Sequence, residues 1–309
     1  MTIAIPRRPT GLITANLLCM ASMLIWAAGL PAASLIIPLL PAEQLNATRM
    51  TLAALALVPI WALVEGPGTL WRAGWGKGVL VGSLIGLGAW CLVQGQARTD
   101  AVTVAVISAT MPVAGIAMEV VLDGRKLSFG LVIGLSLSLL GGLMALDLAN
   151  GGLSFGLGAL FCLGSVLAFV LGSRLTVTAF PALSPLGRTA ITLTGAAVAS
   201  SAVALAQIVT GASAPVDYSS FGAREWAAML MFSVGALGIS QVLWIMSVGR
   251  LGIGLSALHI NATPFYVMLI LFAFGAGWNW TQALGAAVVG IGVLVAQGLI
   301  KIPLRTTDR

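Results

Sequence analysis

Apolar positions along this chain do not alternate as in a strand, nor do they stripe one side of a helix. They come in long runs: roughly 12–37, 47–64, 76–95, 101–119, 128–146, 153–173, 185–209, 226–247, 252–274 and 281–300. Each approaches or exceeds the ~20 residues that carry a helix across a hydrocarbon layer ~30 Å thick. The breaks between them carry turn and charge signals, among them LLPAEQ at 39–44, EGPG at 65–68, LDGRK at 122–126, NGG at 150–152 and GASAPVDYSS at 211–220. A segment in lipid must satisfy its own backbone, and the dyad alternation of a membrane barrel is missing, so the runs predict helices. The expected fold class is an all-α membrane protein with ten transmembrane helices.

Composition agrees. Hydrophobic residues make up 59% of the 309 and charged residues only 8%, against about a quarter charged in a soluble domain. The first run is longer than the 7–15 residues of a signal-peptide core, so it reads as a span. Cys19, Cys91 and Cys162 all fall inside apolar runs without metal-ligand spacing and read as small buried hydrophobes.

Charge gives the orientation. With ten spans and a cytoplasmic N-terminus, Arg49, Arg98 and Arg224 lie outside and the remaining 12 of the 15 Lys and Arg lie inside, as the positive-inside rule requires. Both termini are then cytoplasmic. The net charge of +6 reports topology; basic residues scattered singly over loops form no nucleic-acid patch.

The chain also repeats itself. ISATMP at 107–112 and INATP at 260–264 lie just under half the chain apart. LCMAS at 18–22 pairs with FCLGS at 161–165, TRMT at 48–51 with GRTA at 187–190, and QARTDA at 96–101 with VGRLGI at 248–253. Four pairings in one order predict a duplication, with one five-helix repeat over 12–146 and another over 153–300. Five is odd, so the second copy enters the membrane inverted. Inverted repeats are a common plan of secondary transporters, with the substrate near the midplane between halves that rock by alternating access. Pro112 and Pro264 would each free a carbonyl four residues earlier and serve as hinges; a packing kink is the plainer reading of the same residues.

Ten spans in two inverted halves, an arginine opening the second helix of each half, and a fourth helix with a small or polar residue beside proline resemble the drug/metabolite transporter superfamily. Within it the chain is similar to bacterial EamA-type transporters, over residues 12–300. The resemblance implies an inner-membrane carrier of a small metabolite, often an exporter, with a central cavity lined by helices 1, 3, 4, 6, 8 and 9. It implies no cofactor and no sharp motif.

Polar side chains inside spans are costly and usually face the bundle interior. Span 9 places His259, Thr263 and Tyr266 on one helical stripe with Ser256, while Asn261 lies off it. Span 4 offers Thr110. Trp90 and Gln94 are four apart in span 3, Gln241 and Trp244 three apart in span 8, and Trp26 in span 1 has Phe169 as its repeat mate. Together these ten (Trp26, Trp90, Gln94, Thr110, Phe169, Gln241, Trp244, His259, Thr263 and Tyr266) form the expected substrate-binding set: aromatic, uncharged and hydrogen-bonding. For any one of them a helix–helix contact is the plainer role. His259, the only histidine, is the candidate proton-coupling group, because an imidazole can change charge near neutral pH. Glu119, near a span end, is expected to be solvated. Gly74, Gly78, Gly82 and Gly86, each four apart, read as a close-packing face within the molecule; GWGKG lacks the Ser or Thr and the spacing of a phosphate loop.

The expected function is secondary transport, by export, of a small uncharged, zwitterionic or aromatic metabolite such as an amino acid. With no Lys or Arg deep in a span, phosphorylated solutes are disfavoured. The alternatives are an importer or facilitator of a vitamin-like metabolite such as riboflavin, or a non-transporting scaffold. The chain lacks paired acids, metal ligands or a nucleophile–base pair for an enzyme. Expected partners are the solute and the lipid bilayer, with no nucleic acid, for a monomer or weak homodimer.

Overall fold

The computed structural model describes residues 9–98, 107–145, 156–273, 275 and 277–300. They form helices joined by short turns, with no strand among the described residues. In chain order the helices are α1 (Pro9–Ile36), α2 (Ala42–Glu65), the short α3 (Gly68–Arg72), α4 (Trp75–Gln96), α5 (Met111–Asp123), α6 (Phe129–Ala145), α7 (Leu157–Thr178) and α8 (Pro185–Val209). They continue with α9 (Ala223–Leu251), α10 (Ile253–Ala257), α11 (Thr263–Ala273) and α12 (Trp280–Ala296).

Six of these, α1, α2, α4, α7, α8 and α9, are long and apolar enough to cross a membrane. Shorter apolar helical stretches lie at Phe129–Gly141, Ile253–Ala262 and Ala283–Ala296. Large apolar side chains also point outward; Leu63 is 85% and Trp71 88% exposed, and Leu80 and Val209 stand out similarly. Water would not tolerate such a surface, and lipid does. The chain is a multi-pass membrane protein. The expected junction of the two halves, 146–153, and the start of the fourth run, 101–106, lie outside the described residues.

Glycine sets how closely the helices approach. A Cβ on Gly82 would lie 2.2 Å from the Thr192 carbonyl oxygen and 2.5 Å from the Ala196 nitrogen; one on Gly195 would lie 2.1 Å from the Gly78 carbonyl oxygen. The glycine face of α4 is therefore pressed backbone to backbone against α8, inside the same molecule. Gly74 is different, with nothing within 4 Å of its missing Cβ. A second crossing of this kind joins α6 to α12, where a Cβ on Gly134 would lie 2.4 Å from the Gly292 carbonyl oxygen.

Both repeated motifs fall at breaks. ISATMP ends in a turn, with Thr110 as N-cap and Pro112 in the first turn of α5, where a missing N–H costs nothing. INATP ends a tight 3-10 stretch, Leu258–Ala262, and position 264 is in the first turn of α11. The ninth apolar run, expected as one helix, is thus α10, a 3-10 segment and α11. Inside α9, residues Met231–Ile239 form a wider π-helical stretch.

Two charged residues differ from expectation. Arg49, read as an outer-face charge, is only 2% exposed. Helix α2 begins at Ala42 rather than near 47, so Arg49 sits roughly 10 Å along its axis. Glu119, expected to be solvated, is buried, and its Oε1 accepts a hydrogen bond from the Gly254 backbone N–H (3.1 Å) while Oε2 pairs with Arg125.

Candidate functional site

A cavity of about 90 Å³ lies between α1, α2, α4, α7 and α9. Its wall is mostly apolar: Met23, Met50, Ile85, Val166, Leu193 and Leu237 among others. Aromatic surface comes from Trp26, Phe169 and Trp244, and polar groups from Ser22, Arg49, Ser165, Ser240 and Gln241. A few polar groups set in an apolar wall are the usual make-up of a small-molecule site.

The aromatic side is held firmly. Trp244 is buried and its Nε1–H donates to Ser173 Oγ (3.0 Å), while its ring meets Phe169 at 5.6 Å between centroids. Helices α1 and α9 are tied by a reciprocal pair: Ser22 Oγ donates to the Ser240 carbonyl (2.8 Å), and Ser240 Oγ to the Ser22 carbonyl (3.0 Å). Ser247 Oγ adds a bond to the Ala15 carbonyl (3.1 Å). The π-helical stretch brings Ala236 and Leu237 to the cavity just before Ser240 and Gln241. Such wide turns re-aim the residues that follow, and they occur often at functional sites.

Of the expected substrate-binding set, Trp26, Phe169, Gln241 and Trp244 therefore share one cavity. Trp90 and Gln94 stand elsewhere. Both donate to Glu43 Oε1, from Trp90 Nε1 at 3.1 Å and Gln94 Nε2 at 2.9 Å, and Arg98 in turn donates to the Gln94 carbonyl oxygen (3.1 Å). Trp90 and Glu43 border a second, separate cavity with Asn46, Ser83 and Ser200. Thr110 is exposed and donates to the Ile107 carbonyl (2.6 Å).

The span-9 stripe is packed rather than open. His259 is buried and its Nδ1–H donates to the Ser256 carbonyl (3.2 Å), one turn back on its own segment. Tyr266 belongs to the apolar cluster around Cys19, Met23 and Trp244. Thr263 is buried with no partner for its hydroxyl. Asn261, off the stripe, serves a neighbouring helix: its Nδ2 donates to Ser138 Oγ (3.1 Å) on α6.

Arg49 is the wall residue that the sequence reading missed. Its guanidinium lies 3.9 Å over the Phe232 ring, and its Nε and Nη1 have no hydrogen-bond partner. The signal was present in PAEQ at 41–44. Pro41 at the cap and an acid in the first turn are a helix start, and that start carries Arg49 two turns inward.

The architecture and cavity define a class, and similarity narrows it. Residues 13–146 match the EamA-like transporter family. The chain is a multi-pass membrane protein whose residues 13–146 are similar to EamA-like transporters. It is 30% identical over 106 residues to the uncharacterized transporter YyaM of Bacillus subtilis (strain 168). That match spans 34% of this chain and 35% of YyaM, about a third of the relative's length. A solved crystal structure superposes with a TM-score of 0.73 at 20% identity, covering 95% of this chain and 98% of its own. At that identity the likeness concerns the fold.

Proposed function

We propose that the protein is a secondary transporter of ten spans, arranged as inverted five-helix repeats over 12–146 and 153–300, that exports a small metabolite with an aromatic or apolar body by alternating access. One observation carries the reading: a cavity with a few polar groups lies at the centre of an apolar bundle, and its wall draws on α1, α2 and α4 from one half and α7, α8 and α9 from the other. A site shared by two halves is where rocking would expose it to either side in turn. The matched breaks at ISATMP and INATP support Pro112 and Pro264 as the hinges. Export and an inner-membrane setting with both termini cytoplasmic follow the family resemblance and the distribution of basic residues.

Flux through reconstituted vesicles tests this. Purified protein should move aromatic and aliphatic amino acids or related metabolites saturably. Trp244→Ala should lower that flux, since it removes the aromatic wall and leaves the Ser173 hydroxyl without its donor. A protein that moves no solute is a scaffold. His259 is the proposed coupling group. His259→Gln should let solute equilibrate down its own gradient but abolish accumulation under an imposed pH difference. Equal pumping by the variant, or no wild-type response to pH, makes the carrier a facilitator driven by the solute gradient.

Topology has its own check. Reporter fusions at Asn150 and Tyr218 should read periplasmic, and fusions at Arg125, Arg250 and Arg309 cytoplasmic. A cytoplasmic signal at Asn150 removes the inverted arrangement.

A further inference from the structure

Arg49 is a buried cation with no counterion among the described residues. The ion pairs formed among the described residues are Arg125–Glu119 and Arg174–Asp123, and neither involves it. No Asp or Glu lines its cavity among the described residues. The nearest acid in sequence on the same helix, Glu43, is occupied by the N–H groups of Trp90 and Gln94 and borders the other cavity. An unpaired charge in a low-dielectric bundle is expensive and persists mainly where it has a task.

Its geometry says what task. The Phe232 ring covers a face of the guanidinium, but guanidinium N–H groups point outward in its plane, so stacking leaves the donors open. Nε and Nη1, two of the nitrogens of that fork, are buried and have no acceptor. Both open donors suit an anion, and a guanidinium takes carboxylate oxygens along its planar edges. Arg188, its counterpart in the TRMT and GRTA pairing, is different: Nε donates to the Phe180 carbonyl (2.8 Å) and Nη2 to the Pro181 carbonyl (3.1 Å). One arginine is capped by its own chain, and the other is left open to a cavity.

We propose that Arg49 is the anion-recognising residue of the central cavity, and that the solute is an organic monocarboxylate whose apolar or aromatic body lies against Trp26, Phe169 and Trp244. Among the described residues the wall holds a single cation and no acid, which suits one carboxylate, and not a phosphate ester or a dicarboxylate. With no acid on the wall among its described residues, an α-ammonium gains no ion pair there, so the site reads the acid and not the amino acid as a whole. This deepens the transport reading and rests on it for the cavity's being a substrate site.

The test is binding to the full-length protein in lipid nanodiscs, measured by calorimetry. The probes are 3-phenylpropionate, 4-methylpentanoate, the primary amide of each, and phenylalanine. Wild type should bind an acid about tenfold or more tightly than its amide, with phenylalanine no tighter than 3-phenylpropionate. Arg49→Gln should remove the preference for acid over amide, and Arg49→Lys should keep part of it. If the amides bind wild type as well as the acids, or neither acid binds, the proposal is wrong whatever the variants do. A glutamine variant that keeps the preference overturns it too. Flux separates the two readings: Arg49-dependent binding without flux removes transport alone, while flux indifferent to the carboxylate removes this proposal alone.

Discussion

Gly82→Ala should destabilise the protein clearly, and Gly82→Leu should prevent recovery of a monodisperse folded species. A methyl group normally helps a helix, by about 1 kcal/mol relative to glycine. At position 82 it would stand 2.2 Å from a carbonyl oxygen and 2.5 Å from a backbone nitrogen of α8. No side chain can step aside, because the obstacles are backbone. The helices must part, and overpacking of this kind costs about 1–3 kcal/mol for small insertions and more for large ones. The controls come from the same stretch. Gly74 and Gly76 have nothing within 4 Å of an added Cβ, so Gly74→Ala and Gly76→Ala should melt at or above the wild-type temperature. Size-exclusion profiles read Gly82→Leu, and thermal melts in detergent compare the three alanine variants. If Gly82→Ala melts with the two controls, the close crossing of α4 and α8 is not a feature of the folded protein.

The stripe of four glycines was visible as spacing, and spacing treats its members as equal. Only packing tells Gly82, which meets backbone, from Gly74, which meets nothing. The long apolar runs were legible because lipid imposes one rule on every backbone group, and each of the six membrane-length helices overlaps one of those runs, most extending past one or both of its ends. Inside a run, Pro112 and Pro264 marked a bend, but the change of helix type was not legible. At INATP a kinked but continuous helix was expected, yet the chain tightens to 3-10 geometry over Leu258–Ala262, and the π-helical turn in α9 has no compositional mark at all. The cavity was legible in part. Trp26, Phe169, Gln241 and Trp244 share it because large or amide side chains in spans seek the interior. Trp90 and Gln94 face away from it because Glu43 attracts their N–H groups, a contact across 47 and 51 residues that spacing along one helix does not reveal. Charge was the least legible. Counting arginines by side of the membrane assumes that each lies at an end, and Arg49 does not.

Glu119 is the other buried charge that the counting overlooked, and Glu119→Ala should destabilise the protein by about 1–3 kcal/mol. Its carboxylate reaches from α5 to the start of α10, where it accepts the Gly254 N–H. The first N–H groups of a helix have no partner of their own, and an anion there also meets the positive end of the helix dipole. The chain makes room for it. Gly252 has φ +86°, in the left-handed region, and a Cβ on Gly254 would lie 3.0 Å from Glu119 Oε2. The alanine variant leaves that N–H unpaired inside the protein and Arg125 without its acid. Breaking a fully buried ion pair costs about 3–5 kcal/mol. Arg125 is partly exposed, its side chain at 24%, so water takes over some of the lost pairing and the effect falls below that range. Glu119→Gln separates the two roles. It keeps an acceptor for Gly254 and loses the charge facing Arg125, so it should fall between wild type and alanine. Arg125→Ala should be milder than Glu119→Ala, since it leaves the helix start capped. Melting curves of the three variants give the order. If Glu119→Ala melts like wild type, the carboxylate does not hold α10 in place, and the break before INATP is fixed by its glycines and proline alone.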